Sequence, residues 1–184
     1  MGTPGLVEDP RHPLAGEQDM IAIYAGSFDP PTKGHLRVIE EALRLFDEVH
    51  VLVATNSAKK PMFNPAERVF MLARCLHEYK GRAKIGIWDD RYDPCPEGQE
   101  TTPRILVRGL RTVSDFESEM TMAHVNESLG LHTVFIPAGA EGGVSYVSSS
   151  IVREFGATER ALQMVPEPVA RFIRETRGGV TVEV

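Results

Sequence analysis

The chain has 184 residues, of which 42% are hydrophobic and 25% are charged, as is typical of an ordinary soluble globular protein. This length fits a single domain that can bury a sizeable core. The net charge of −6 argues against a general nucleic-acid-binding surface, and no apolar run reaches the length of a membrane span. Neither nucleic acids nor membranes are therefore expected partners.

The two cysteines, Cys75 and Cys95, form neither a C-x-x-C pair nor a disulfide framework, which indicates a reducing compartment. The amino terminus also lacks the basic-then-apolar order of a secretion signal. We therefore expect a cytoplasmic protein. Residues 1–19, with three prolines, three glycines and little apolar periodicity, are predicted to be a flexible extension before one domain at residues 20–184.

Residues 20–46 read as a buried strand, a turn and a helix. The strand is a short apolar run that ends at Gly26. The helix is predicted from apolar residues that recur on one face: Leu36, Ile39, Leu43 and Phe46.

Strands and helices are predicted to alternate along the rest of the chain. The predicted strands are residues 49–55, 84–88, 104–108 and 132–136, and the predicted helices are residues 65–80, 113–129, 149–155 and 167–176. Residues 89–103 and 138–147 are predicted loops. This alternation indicates one α/β domain, with a Rossmann-like parallel five-stranded sheet and helices on both faces.

Two of these helices have apolar sides that we expect to face the core. The helix at residues 65–80 begins with a capping box, Asn64 and Glu67. Its predicted inner residues are Val69, Phe70, Ala73 and Leu76. The helix at residues 113–129 is predicted to have a broad apolar face along Phe116, Met120, Ala123 and Glu127, with Met122 and Val125 nearby.

The first turn ends in the motif Thr32-Lys33-Gly34-His35, where a helix begins. A helix start presents unpaired N–H groups and a positive dipole end, so a histidine there is well placed to meet a phosphate. The other interpretation is a tight strand-to-helix connection whose glycines and prolines serve geometry alone. The turn is not a Walker loop and it lacks G-x-G-x-x-G, which argues against nucleotide hydrolysis and dinucleotide redox chemistry.

Four donor-rich sites fall at strand ends or helix starts: the turn with His35, the loop with Lys59, the turn from Arg108 to Arg111, and Ser148 to Ser150. Each alone has an ordinary structural explanation, but together they would surround one cleft with positive charge and N–H donors. This arrangement suits a reaction between two phosphorylated molecules. No activated nucleophile, carboxylate pair or metal-ligand spacing stands out, so direct transfer is predicted.

Four segments at these sites closely resemble the phosphopantetheine adenylyltransferase family of the T/H-x-G-H nucleotidyltransferase superfamily. They are residues 24–35, 57–63, 108–117 and 147–152, and the resemblance extends in the same order from about residue 21 to residue 173. It implies the reaction of ATP with 4'-phosphopantetheine to give dephospho-coenzyme A and pyrophosphate, with Mg²⁺ as cofactor. It also implies a homo-oligomer, typically a hexamer.

The resemblance implies a role for each matching residue. The implied catalytic residues are His35, which would stabilise charge at the α-phosphorus, Lys59, which would hold the acceptor phosphate, and Arg111. The implied acceptor-binding residues are Ser27, Lys59, Arg108 and Asn126. The implied ATP-binding residues are Ser27, Phe28, His35, Gly109, Leu110, Arg111, Glu119, Val144, Ser145, Tyr146, Val147, Ser148, Ser149 and Ser150. None of these positions is an implied metal ligand.

Three departures from the family pattern concern the acceptor. Residues 89–102 are strongly polar where the family usually has an apolar stretch, and Ser118 and Val144 stand where aromatic residues are usual. Two alternatives therefore remain: adenylyl transfer to another phosphorylated acceptor, such as nicotinamide mononucleotide, and a nucleotide-binding sensor without catalysis.

Overall fold

The structure is a computed structural model that describes residues 20–55, 60–88, 104–128, 130–138 and 148–177. The predicted flexible extension lies outside these ranges. So do the predicted loop at residues 89–103 and nearly all of the loop at residues 138–147.

Five parallel strands form one sheet in the order β3-β2-β1-β4-β5. The strands are β1 (Ile21–Gly26), β2 (Glu48–Ala54), β3 (Ala83–Trp88), β4 (Arg104–Leu110) and β5 (His132–Pro137). The chain moves outwards in one direction from β1 and in the other from β4, so the strand order reverses between these two central strands. Ligands of open α/β sheets bind at the carboxyl edge beside such a reversal.

The helices lie where the sequence predicts them. They are α1 (Lys33–Leu45), α2 (Pro65–Cys75), α3 (Val113–Ser128), α4 (Ser149–Phe155), α5 (Glu159–Leu162) and α6 (Glu167–Arg177). The short α5, which Thr158 caps, was not predicted, and α2 ends before the predicted Lys80 because a 3₁₀ turn follows it at His77–Tyr79. No helix within the described ranges is long and apolar enough to cross a membrane.

Alternate residues of the strands face helices on opposite sides of the sheet. On one side, Ala22, Val49 and Val107 share a buried cluster with residues of α1 and α2. On the other side, the Phe116 ring of α3 packs against the Phe135 ring of β5, with ring centroids 5.8 Å apart. The prediction of a parallel sheet with helices on both faces is therefore confirmed.

The inner face of α2 differs from its prediction. Phe70 is 51% exposed and Ala73 is also exposed, whereas Arg68, Met71 and Leu72 are buried. The prediction was right for Leu76, which is buried, and for Val69, which packs partly buried against the core, but wrong for Phe70 and Ala73. With Arg68 inside, the buried positions follow the i, i+3, i+4 spacing of a helix.

The predicted apolar face of α3 is not buried within the chain. No residue of α3 falls in the buried class, and Val113, Phe116, Met122 and Val125 are exposed. The Phe135 contact is therefore made at the edge of a helix whose apolar side remains largely open.

Gly109 occupies the point of β4 at which α1 comes closest. A Cβ atom built on this residue would lie only 2.8 Å from Cγ2 of Val38, which is nearer than real Cβ atoms approach other atoms. The glycine therefore lets α1 pack directly against the end of β4.

Leu72 and Phe70 provide a test of the corrected face of α2. We expect Leu72→Ala to lower the free energy of unfolding by about 2–5 kcal/mol, because it leaves a cavity between α2 and the sheet. Phe70→Ala should cost only about 1 kcal/mol, since the ring is half exposed and mainly loses its contact with Phe172. Urea unfolding monitored by circular dichroism measures both, and a larger loss for Phe70→Ala would contradict the assignment.

Candidate functional site

The loop between β1 and α1 places the first site residues. Phe28 has a φ angle of 46°, in the left-handed region that bulky residues rarely adopt, and its ring is buried. The ring meets Tyr24 and His35 edge-on, with centroids 5.3 Å and 5.0 Å away. The Phe28 ring therefore packs against the imidazole of His35 and does not face a ligand.

Asp29 anchors this loop to the segment before α2. Its buried carboxylate accepts hydrogen bonds from the backbone N–H groups of Met62 and Phe63, each at 2.9 Å. Arg153 of α4 donates to the backbone oxygen of Asp29 at 2.7 Å. The loop is thus held from two sides by elements that follow much later in the chain.

Arg68 ties the same loop to the sheet from inside α2. Its side chain is only 3% exposed, and Nη1 donates to the backbone oxygens of Ser27 at 2.8 Å and of Ala54 at 3.2 Å. Its Nε donates to the backbone oxygen of Asn64. Among the described residues no carboxylate pairs with Arg68, so its buried positive charge is compensated only by carbonyl dipoles.

The orientation of His35 is set by a capping box at the start of α1. Thr32 caps the helix, and its backbone N–H donates to Nδ1 of His35 at 3.1 Å. Because the Nδ1 lone pair accepts this bond, the proton of the neutral imidazole resides on Nε2. Burial and, secondly, the nearby Arg111 charge lower the pKa of His35 to about 4. His35 is therefore a neutral N–H donor at physiological pH.

The two arginines that flank Gly109 and Leu110 are each held by an acid of α3. Arg108 pairs with Glu119 through two contacts, Nε to Oε2 at 2.5 Å and Nη2 to Oε1 at 2.8 Å. Arg111 Nε lies 3.3 Å from Oδ2 of Asp115, and Asp115 also accepts from the backbone N–H of Arg111. These pairs fix the directions of both guanidinium groups at the carboxyl end of β4.

The serines at the start of α4 differ in the hydrogen bonds that they still have available. Ser149 donates its proton to the backbone oxygen of Pro30 at 2.9 Å. The hydroxyl of Ser148 accepts from the Ile151 N–H, and that of Ser150 accepts from Arg153. Accepting leaves a hydroxyl proton able to donate, so Ser148 and Ser150 can each donate to a ligand.

Two cavities open at this edge of the sheet, with volumes of about 490 Å³ and about 160 Å³. Donor side chains of the larger cavity are Ser27, His35, Thr55, Lys60, Arg68, Arg111, Ser148, Ser149, Ser150 and Arg153. The smaller cavity is lined by residues that include Tyr24, Gly34, His35, Arg108, Gly109, Arg111 and Glu119. His35 and Arg111 line both cavities and so stand where the two meet.

The larger cavity is electropositive although the chain as a whole is acidic. Lys60, Arg68, Arg111 and Arg153 line it, and Asp29 is the one acid among its described lining residues. The carboxylate oxygens of Asp29 are already engaged by backbone N–H groups. The cavity is therefore suited to an anion with several oxygen atoms, such as a polyphosphate.

The structure brings most of the described site residues together. Those that line the cavities are Ser27, His35, Arg108, Gly109, Arg111, Glu119, Ser148, Ser149 and Ser150. Lys59, Val144, Ser145, Tyr146 and Val147 lie outside the described residues. Phe28 and Leu110 are near the site but do not line either cavity.

Asn126 lies apart from the residues that line the two cavities, so its substrate-binding role stays a prediction. Its Nδ2 contacts Oγ1 of Thr133 near the amino end of β5, whereas the cavities lie at the carboxyl end. The reason is the direction of α3, which runs away from the site and places Asn126 roughly 10 Å beyond Glu119.

Sequence reasoning missed four residues that shape the site: Tyr24, Asp29, Arg68 and Arg153. A signal was present for Arg68, since it precedes Met71 and Leu72 by three and four residues and so shares their helical face. Asp29 and Arg153 act through long-range hydrogen bonds, and Tyr24 acts through its place in the smaller cavity. Local spacing reveals neither kind of contact.

The acidic groups do not form a metal cage. Within the described ranges no cluster of three or more histidine, cysteine, aspartate or glutamate residues could hold a metal ion. Asp29 and Glu119, the two acids beside the cavities, are engaged by backbone N–H groups and by Arg108.

Comparison with known proteins gives matches over most of the chain. The Cytidylyltransferase-like family matches residues 23–155. The phosphopantetheine adenylyltransferase of Geobacter sulfurreducens is 40% identical over 162 residues, which cover 86% of this chain and 96% of that protein. Its counterpart in Desulforudis audaxviator is 42% identical over 161 residues, with coverages of 86% and 96%.

A solved structure is similar as well. It is the crystal structure of a candidate nicotinate-nucleotide adenylyltransferase from Vibrio parahaemolyticus, with a TM-score of 0.57 and 18% identity, and it covers 84% of this chain and 98% of that chain. At this identity the likeness supports the fold alone. The sequence matches carry the family assignment, and the chain belongs to the phosphopantetheine adenylyltransferase family of Cytidylyltransferase-like proteins.

Proposed function

We propose that the chain transfers AMP from ATP to 4'-phosphopantetheine, giving dephospho-coenzyme A and pyrophosphate. The observation that carries this proposal is the position of His35 and Arg111, which line both cavities. Two anionic substrates that occupy the site would meet beside these two donors. The names of the curated relatives support the choice of substrates.

The transfer would be a direct displacement at the α-phosphorus of ATP. An oxygen of the acceptor phosphate forms a new bond to this phosphorus while the bond to the pyrophosphate oxygen breaks, and pyrophosphate leaves with the electron pair. The neutral Nε2–H of His35 and the guanidinium of Arg111 would stabilise the charge that develops on the α-phosphate oxygens. No residue of the enzyme needs to form a covalent intermediate.

The remaining donors would position the phosphates. Ser148 and Ser150 each keep a hydroxyl proton for a ligand, and Lys60 and Arg68 add positive charge in the larger cavity. Lys59 is proposed to hold the acceptor phosphate, as the family resemblance implies.

Mg²⁺ is proposed to be held mainly by the phosphate oxygens of ATP. Magnesium commonly binds through substrate phosphates and keeps several waters, so it does not require a cage of protein ligands. This fits a site whose nearby acids are already hydrogen-bonded. When bound, the ion would neutralise part of the charge on the departing pyrophosphate.

The function is tested by pyrophosphate release from ATP with phosphopantetheine and, separately, with nicotinamide mononucleotide. We expect turnover with phosphopantetheine. His35→Ala should lower kcat by about 10²–10³-fold while ATP affinity changes little, because the lost donor acts on charge that develops during the reaction.

Three outcomes would contradict this proposal. Turnover with nicotinamide mononucleotide alone would indicate a different acceptor, and ATP binding without turnover would indicate a sensor. Equal losses of kcat and ATP affinity in His35→Ala would reject the proposed role of the imidazole.

The titration of His35 is a further expected outcome. In the unfolded chain this imidazole titrates near its ordinary value of about 6.5, and in the folded chain near 4. Between these pH values the unfolded chain binds a proton that the folded chain does not, so this group makes the protein less stable as pH falls. Nuclear magnetic resonance of the ring nitrogens should show a neutral Nε2–H tautomer at pH 6, and titration near 6.5 would contradict the burial argument.

We also propose that the chain forms a homo-oligomer, which is a hexamer by family resemblance. Support comes from the exposed apolar side chains of α3, among them Val113, which is 79% exposed, and Met122. Light scattering should give the mass of an oligomer, and Met122→Lys should lower that mass, because it would bury a charge. A monomeric wild-type protein would reject the proposal.

A cytoplasmic location also stays a prediction.

A further inference from the structure

Tyr24 is a residue of the smaller cavity to which neither the motifs nor the family resemblance assign a role. It lies on β1, is only 7% exposed and lines the cavity together with Gly109 and Ala138. Its hydroxyl oxygen lies 3.5 Å from the position that a Cβ on Gly109 would occupy. The phenol therefore extends from β1 towards the end of the neighbouring strand β4.

This hydroxyl has no hydrogen-bond partner among the described residues. Its nearest charged neighbours, Arg108 and Glu119, are paired with each other. No completely sealed side-chain nitrogen or oxygen of the described residues lacks a partner. The unpaired hydroxyl of Tyr24 must therefore keep contact with the open space of the cavity, where a ligand can reach it.

The hydroxyl is also held in its donor form. Burial raises the pKa of Tyr24 to about 12, and the opposing effects of Arg108 and Arg111 are smaller. The phenol therefore keeps its proton at physiological pH and can donate one hydrogen bond. An acceptor oxygen on a ligand in the smaller cavity would therefore receive this hydrogen bond.

We propose that the Tyr24 hydroxyl donates a hydrogen bond to an oxygen atom of ATP bound in the smaller cavity. This inference rests on the proposed function and deepens it by adding a substrate-binding residue. ATP is favoured over the acceptor because three lining residues of the same cavity, Gly109, Arg111 and Glu119, are implied to bind only the nucleotide. Arg108 is the one described lining residue that is implied to bind only the acceptor. The aromatic ring has a separate role, since it packs edge-on against Phe28.

Tyr24→Phe is a sharp test because it removes the hydroxyl and retains the ring. ATP affinity of the free protein, measured by titration calorimetry, should fall about two- to tenfold if the acceptor is a neutral oxygen and more than about tenfold if it is a phosphate oxygen. The KM for phosphopantetheine should stay within about twofold. The melting temperature of the ligand-free variant should be unchanged, because the hydroxyl has no partner among the described residues and its removal breaks no bond between them.

Tyr79→Phe is the matched control. Tyr79 lies in the 3₁₀ turn before β3 and packs partly buried against the core, away from both cavities. This variant should bind ATP as the wild type does.

Three results would overturn the inference. They are an unchanged ATP affinity in Tyr24→Phe, a loss confined to the acceptor, and a lower melting temperature without ligand, which would indicate a bond within the protein. Absence of turnover in the wild-type protein would reject the proposed function instead, and calorimetry with ATP would still test Tyr24.

Discussion

The path of the loop between β1 and α1 depends on the buried carboxylate of Asp29. Two backbone N–H donors from the segment before α2 converge on it, and Arg153 of α4 binds the adjacent carbonyl. Arg68 adds a third attachment at Ser27. These partners come from two distant parts of the chain, residues 62–68 and α4, so the shape of the loop depends on long-range contacts. The position of the imidazole at the start of α1 follows from that shape.

The site combines fixed positive charge with a neutral histidine. The cations line the larger cavity, which is suited to a polyphosphate, whereas His35 is kept uncharged by burial and by Arg111. A neutral donor binds the phosphate of the unreacted substrate less tightly than another cation would. More of its stabilising free energy can therefore act on the charge that develops during the reaction. Thr32 fixes which nitrogen carries the proton, and the capping box that starts the helix therefore also determines the chemistry of the ring.

The sheet, its parallel direction and most helices were predictable because they depend on local periodicity, caps and strand alternation. The clustering of His35, Arg108 and Arg111 was also predictable, since strand ends and helix starts meet at one edge of a parallel sheet. The roles of Asp29 and Arg153 were not, because their partners lie far away in sequence. The role of Asn126 stays a prediction, because this residue lies beyond Glu119 along α3 and lines neither cavity.

The close approach of Val38 to Gly109 limits how the smaller cavity can change. A side chain introduced at position 109 would collide with the buried Val38 side chain of α1, so a single substitution there requires that Val38 shift. A smaller residue at position 38 would have to come first, and it would leave a void in the core in the meantime. Remodelling of this pocket therefore has to pass through a less stable intermediate sequence, which restricts the routes open to evolution and to protein engineering alike.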